Sequence, residues 1–134
     1  MFSHVFTGVN NFELAFSFYS AIAEELGLVL RFKEPDESWA GWQLPEGGRP
    51  LFIIGKPFDG NPHNTGNGQM VAFLASTREI VRRVYELALT QGGTSEGPPG
   101  LRRQYHPSYY GAYFRDTEGN KVCIACHSAE SSAA

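Results

Sequence analysis

His4-Val5-Phe6-Thr7-Gly8-Val9-Asn10-Asn11-Phe12-Glu13 and Met70-Val71-Ala72-Phe73-Leu74-Ala75-Ser76-Thr77-Arg78-Glu79 decide how this chain folds, because they are one pattern written twice. Each opens on an alternating apolar run that reads as a strand, Val5 to Val9 in one and Val71 to Ala75 in the other. Each then reaches a helix cap, Asn10 or Ser76, with a glutamate in capping-box position at Glu13 or Glu79. Helical spacing follows in both. Phe12, Ala15, Phe16, Tyr19, Ile22, Ala23 and Leu26 form one apolar stripe, and Ile80, Val81, Val84, Tyr85, Ala88 and Leu89 form the other. The helices are expected to stop at Gly27 and at Gly92-Gly93, the residue type that accepts the left-handed closing conformation.

Beyond each helix the pattern turns to strands. The first half gives Leu28 to Phe32, Trp39 to Leu44, a Pro45–Pro50 turn, then Leu51 to Gly55. The second gives Thr94 to Glu96, Tyr109 to Arg115, an Asp116–Asn120 turn, then Lys121 to His127. Both halves read as βαβββ, so the expected fold class is α+β: two βαβββ modules in one domain over residues 1–127. Module 1 spans about 1–56, a Gly/Pro/Asn linker 57–67, and module 2 about 68–127, with 128–134 expected to be a disordered tail. Each sheet carries a helix on one face only. The uncovered faces can therefore enclose a cleft, within the chain or across a dimer, and such clefts are where small ligands collect.

At 134 residues the chain has room for one domain and is too short for an eightfold β/α barrel. Eleven Lys and Arg against fourteen Asp and Glu leave a net charge of −3, which lacks the field that draws proteins to nucleic acid or anionic lipid. Neither nucleic acid nor membrane is an expected partner. With no basic leader and no apolar run long enough to span a bilayer, the expected location is cytoplasmic, where Cys123 and Cys126 stay free.

The pattern resembles the vicinal oxygen chelate superfamily, which includes glyoxalase I, bleomycin resistance proteins, fosfomycin-modifying enzymes and extradiol dioxygenases. The marks are His4-Val5 with Val9-Asn10, an aromatic helix with Phe18-Tyr19, Gly66-Asn67-Gly68 before a strand, and Asp116-Thr-Glu-Gly-Asn120 before the last strand. Tyr105-His106-Pro107-Ser108-Tyr109-Tyr110-Gly111 is similar to a segment of single-domain members described as lactoylglutathione-lyase-like. The resemblance covers residues 2–127 and implies a glyoxalase-type half-barrel cleft and a homodimer.

It also implies where a divalent metal (Ni, Zn, Mn or Mg) would sit in catalytic members, where it acts as a Lewis acid on two neighbouring substrate oxygens. Carried over residue by residue, His4 takes the first-strand ligand place, Met70 the fifth-strand place, Cys123 the eighth-strand place, and Phe52 or Ile53 lies at the fourth. Thioether and phenyl groups do not hold hard cations, so the usual ligand set is expected to be largely lost and no cofactor is expected. Gln69 would rescue the site only by a register slip that turns it to the opposite sheet face. A soft-metal reading of His4, Met70 and Cys123 competes with simple packing of polarizable side chains, and packing is favoured.

Cys123-Ile-Ala-Cys126-His127 matches a haem-attachment string, but on a strand its two thiols point to opposite faces. Alternation places Cys123 on the cleft face with His4 and Met70, open to a small thiol reagent, and Cys126 under a helix. The segment from Gly97 to Tyr110 reads as a long irregular loop. Its Arg102, Arg103, Tyr105, His106, Tyr109 and Tyr110 suit an anionic or aromatic ligand. His63 in the linker is expected to be exposed, and Glu46, Glu96 and Glu118 to lie in turns. The expected function is binding of a small organic molecule by His4, Met70, Cys123, Arg102, Tyr105, His106, Tyr109 and Tyr110, with no catalytic residue singled out. Two alternatives stand beside it: a divalent-metal-dependent lyase or transferase of the glyoxalase I type, with His4 as ligand, and a dimeric interaction module whose cleft is filled.

Overall fold

The apolar stripes of the two halves become helices because each has a sheet to lie on. In the computed structural model, which describes residues 1–130, the first module runs β1 (His4–Gly8), α1 (Phe12–Leu26), β2 (Val29–Glu34), β3 (Trp39–Gln43) and β4 (Leu51–Gly55). The second repeats it as β5 (Val71–Leu74), α2 (Arg78–Thr90), β6 (Thr94–Leu101), β7 (Tyr110–Arg115) and β8 (Lys121–Cys126). The sheets are ordered β1-β4-β3-β2 and β5-β8-β7-β6, with the first strand of each parallel to the last and the other pairings antiparallel. The α+β class and the duplicated module are thus as the repeat implied.

Both helix caps fall one residue later than expected. Asn11 caps α1, its side chain accepting from the Leu14 N–H at 3.1 Å, and Thr77 caps α2 by accepting from Ile80 N–H at 3.1 Å. The capping boxes do not form. Glu13 turns to Lys33 at 3.5 Å and Glu79 to Arg83 at 3.2 Å, while the Asn11 amide donates instead to Glu118 of the other module at 2.8 Å. Gly27 closes α1 in the left-handed conformation.

Helix-side residues of both modules share one core. Phe52 and Ile54 of β4, Ala40 and Trp42 of β3, Ala112 and Phe114 of β7, and Val122, Ile124 and Cys126 of β8 join the buried faces of α1 and α2. Ring contacts cross the module boundary, Phe18 to Phe114 at 6.1 Å and Phe52 to Phe73 at 4.9 Å. The deepest polar feature of this boundary is the Asp116 carboxylate, which accepts from the Tyr19 hydroxyl at 2.5 Å, the amides of Glu118 and Asn120, and the Asn120 side chain at 2.9 Å. Four donors on one carboxylate satisfy a charge that would otherwise be costly to bury. Burial is the first cause that raises the Tyr19 phenol well above its ordinary pKa, and the Asp116 charge adds to it.

The disordered tail expected over 128–134 is described only as far as residue 130. Glu130 reaches Arg78 at 3.7 Å and the Cys126 thiol lies 3.8 Å from the Ser128 carbonyl, while positions 131–134 lie outside the described residues. No helix among the described residues is long and apolar enough to cross a membrane.

Candidate functional site

On β1, alternation sends Val5 and Thr7 toward the helices and His4, Phe6 and Gly8 to the uncovered face. Parallel register adds Ile53 and Gly55 to that face, and antiparallel register adds Trp39 and Gly41. The glycines make space there. A Cβ on Gly41 would sit 2.5 Å from the Phe32 ring, and one on Gly55 would meet Trp39 and Phe6. The result is an open cavity of about 950 Å³ lined by His4, Phe6, Gly8, Glu37, Trp39, Lys56, Pro57, Phe58 and His63. Phe6 is 48% and Trp39 39% exposed, large aromatic faces left to solvent.

Of this wall the sequence reading named only His4 as a site residue, and His63, expected to be exposed, is the missed member held by the most partners. It is half-buried, not exposed, and its position is imposed from both modules. Asn10 clamps its backbone, accepting from the His63 N–H at 2.7 Å and donating to its carbonyl at 3.3 Å. Asn120 Oδ1 lies 2.7 Å from the ring Nε2, and the Asn120 amide group donates to the Gly8 carbonyl at 3.1 Å and to Asp116. The ring lies against Gly8, where a Cβ would collide with it. No local signal marks His63: its partners come from β1, its following loop and the β7–β8 turn.

The expected site residues divide between two sheet faces. His4 is exposed at the start of β1, its Nδ1 2.9 Å from Ser3 Oγ, and lines the cavity. Met70 is 46% exposed just ahead of β5 and lines a narrower groove of about 200 Å³ with Phe6, His63, Gln69 and Asn120. Cys123 lies on the uncovered face of the second sheet, as alternation requires, but it is fully buried and does not stand open. Tyr109 covers it, its hydroxyl 3.4 Å from the thiol and 2.9 Å from the Tyr113 hydroxyl. Burial first, then the thiol contact, pushes the Tyr109 phenol well up, and burial likewise raises Tyr113. Cys123 lines neither the cavity that holds His4 nor the groove that holds Met70.

Much of the expected loop is strand. β6 continues through Pro98 and Pro99 to Leu101, with register shifts on the way. Arg102 donates to the Pro98 carbonyl at 2.8 Å and lies 5.6 Å over the Tyr113 ring. Arg103 and Tyr105 are exposed, and Tyr105 meets Tyr109 edge-on at 4.9 Å. The Ser108 amide donates to His106 Nδ1 at 3.1 Å, so the proton of neutral His106 is on Nε2, which donates to His127 Nδ1 at 2.8 Å. Tyr110, adjacent to Tyr109, points the other way: its ring packs on the core beside α2 and its hydroxyl accepts from Arg82 at 3.2 Å.

A hard divalent ion does not fit the donors present. At the implied ligand places stand one imidazole, one thioether, a thiol sealed under Tyr109, and Phe52 or Ile53. Among the described residues no three His, Cys, Asp or Glu side chains are grouped to hold a metal. Glu96 is held by Arg115 at 2.7 Å, a bond that lowers its pKa, and Glu118 accepts from Asn11. His106 is no better a ligand in this geometry, because its second nitrogen accepts a bond where a metal-binding imidazole donates one.

Comparison with known proteins agrees with this architecture. The profile of the Glyoxalase/Bleomycin resistance protein/Dioxygenase superfamily matches residues 1–124. A glyoxalase/bleomycin resistance protein from Albidiferax ferrireducens T118 is 35% identical, superposes with a TM-score of 0.83, and the match covers 93% of this chain and 98% of that one. A lactoylglutathione lyase from Agrobacterium tumefaciens shares the fold at 18% identity and a TM-score of 0.63, over 94% of this chain and 92% of that one. Hypothetical protein SA1046 from S. aureus does so at 20% identity and 0.68, over 94% and 92%. No curated protein matches the sequence.

Proposed function

Because the chain belongs to the glyoxalase/bleomycin resistance protein/dioxygenase superfamily, we propose that it binds a small organic molecule over its first sheet, with the metal-ligand set of that superfamily largely lost. The observation that carries this reading is the cavity of about 950 Å³, which combines aromatic faces, two imidazoles, Lys56 and Glu37, with no three His, Cys, Asp or Glu side chains among the described residues grouped to hold a metal. That mixture, apolar walls with a few placed polar groups, is what a small-molecule site requires. An open cavity of this size also speaks against a module whose cleft is filled by its own side chains.

A second copy of the chain is the expected lid. Leu74, 73% exposed, and Met70 stand on the uncovered face of the second sheet, while Phe6 and Trp39 stand on that of the first. A homodimer that lays one on the other would remove both from water, and each buried side chain of this size contributes about 1.5–3 kcal/mol. Light scattering on the purified protein tests this: a monomer at micromolar concentration refutes the dimer.

The test of the binding reading is a thermal-shift screen of metabolites and antibiotics with and without Ni²⁺, Zn²⁺ or Mn²⁺. Stabilisation independent of metal supports it. The competing reading, a metal-dependent lyase or transferase, has His4 in its favour. It predicts stabilisation only with metal, and hemithioacetal isomerisation once metal is added.

A further inference from the structure

The cavity wall contains one imidazole whose neutral tautomer is fixed from behind. The side-chain NH₂ of Asn120 donates to the Gly8 carbonyl and to the Asp116 carboxylate, so Asn120 Oδ1 must face His63 as an acceptor. Turning the amide over would set its oxygen against two other oxygens. Nε2 of His63 therefore carries the proton, and neutral His63 keeps Nδ1 bare. Among the described residues Nδ1 has no hydrogen-bond partner, and it lies against Gly8 on the face of β1 that lines the cavity. A residue with a Cβ at position 8 would displace the ring.

We propose that His63 Nδ1 accepts a hydrogen bond from the ligand, and that the ligand is a small aromatic molecule carrying a hydroxyl group, a phenol or a heteroaromatic alcohol. This rests on the binding reading above and adds which atom selects and what it selects. Phe6 and Trp39 supply flat apolar faces for a ring. Of the polar groups in this wall Lys56 can only donate, while Glu37, His4 and His63 can accept a hydroxyl proton. The neutral His63 imidazole accepts through Nδ1, and an ether or a hydrocarbon of the same shape would leave that nitrogen unpaired. Asn120 and Asp116 are positioning residues in this scheme. They hold the tautomer and do not touch the ligand.

The test uses 4-cyanophenol and 4-cyanoanisole, which differ in the one proton at issue, with calorimetric titration and long-range proton–nitrogen NMR of the histidine rings. In the unliganded protein His63 should show the Nε2–H tautomer. The phenol should bind about tenfold more tightly than the anisole, the worth of one hydrogen bond, and should move the Nδ1 resonance, which the anisole leaves in place. His63→Leu removes both ring nitrogens and offers no acceptor, so it should equalise the two probes. Asn120→Ala should release the tautomer and erode the same preference. An Nδ1–H tautomer in the free protein, or a phenol preference that survives His63→Leu, overturns the proposal. Equal binding of both probes overturns it while the cavity still binds aromatic molecules. If neither probe perturbs Trp39 or His63, the proposal and the binding reading fall together.

Discussion

Replacing Gly8 with alanine tests whether the contact between β1 and the linker is as tight as the structure has it. The added Cβ would stand 2.9 Å from Cε1 and 3.0 Å from Cγ of His63, and closer still to Nδ1. The His63 backbone is held by Asn10, so the side chain must swing and release Asn120. Losing that bond costs about 0.5–1.5 kcal/mol, and leaving the acceptor of buried Asn120 poorly satisfied adds up to roughly 1–3 kcal/mol. Against this, alanine restricts the unfolded chain and returns about 0.4–1 kcal/mol, since Gly8 sits in an ordinary strand conformation. The net expectation is a loss of about 1–3 kcal/mol by urea unfolding. The sharper expectation is a change of sign: with His63→Ala already in place there is no ring to strike, and Gly8→Ala should stabilise by about 0.4–1 kcal/mol. If the two substitutions add, or if Gly8→Ala alone costs nothing, the ring does not lie where this reasoning needs it.

Tyr19→Phe removes a donor from the Asp116 carboxylate and should cost about 1.5–3 kcal/mol near neutral pH in denaturant unfolding. Because burial and Asp116 raise the Tyr19 pKa in the folded state, its stabilising contribution is complete below the unfolded value near 10 and falls as pH rises beyond it; the gap between wild type and Tyr19→Phe should narrow in alkali, and a constant gap would contradict the assignment. Both cysteines are buried, so a small alkylating reagent should label neither in the native protein, whereas Tyr109→Ala should expose Cys123 and leave Cys126 protected, as peptide mass spectrometry would read. Preferential labelling of Cys126 would mean the β8 register is wrong. Asn10→Ala removes both bonds that clamp His63 and should raise hydrogen exchange at the His63 amide by about five- to tenfold, with α1 unaffected because Asn11 caps it.

The fold was legible because its signals are local and repeated. Strand alternation and the helical stripes depend on a few neighbouring residues and occur in both modules where expected, and Gly27 closes α1, whereas α2 is capped by Gln91 ahead of Gly92. Misplacements occur where a distant partner decides. Asn10 looks like a cap until the linker is known to use its side chain; Asn11 then takes the role. Pro98 and Pro99 argue against a strand, yet β6 lies at the edge of its sheet and its register with β7 breaks between Gly97 and Gly100, so neither proline has a paired position to fill. The split between Tyr109 and Tyr110 follows from alternation alone. The burial of Cys123 does not, because it needs the Tyr109 ring folded back over β8. His63 had no legible role at all: its partners Gly8, Asn10 and Asn120 are far away in sequence.

The two modules share a topology, and their uncovered faces show how one was left open and the other closed. Gly41 of β3 and Gly111 of β7 occupy corresponding places, and in each sheet an aromatic ring fills the space, Phe32 in the first and Tyr109 in the second. The difference lies in what surrounds that ring. Tyr109 is tied down by Tyr113 and Cys123 and meets Tyr105, His106 and His127 edge-on, so the second face is closed by its own side chains. On the first, Gly8 and Gly55 keep the floor low, Phe6 and Trp39 stand exposed at its sides, and the linker brings in His63 from above. A closed face has no room for a ligand but offers a stiff surface for another chain to press against. An open face with its polar groups already fixed in place gives a ligand something specific to bind. The two sheets repeat one topology, and the distribution of glycine and tyrosine over them leaves the first face open and closes the second.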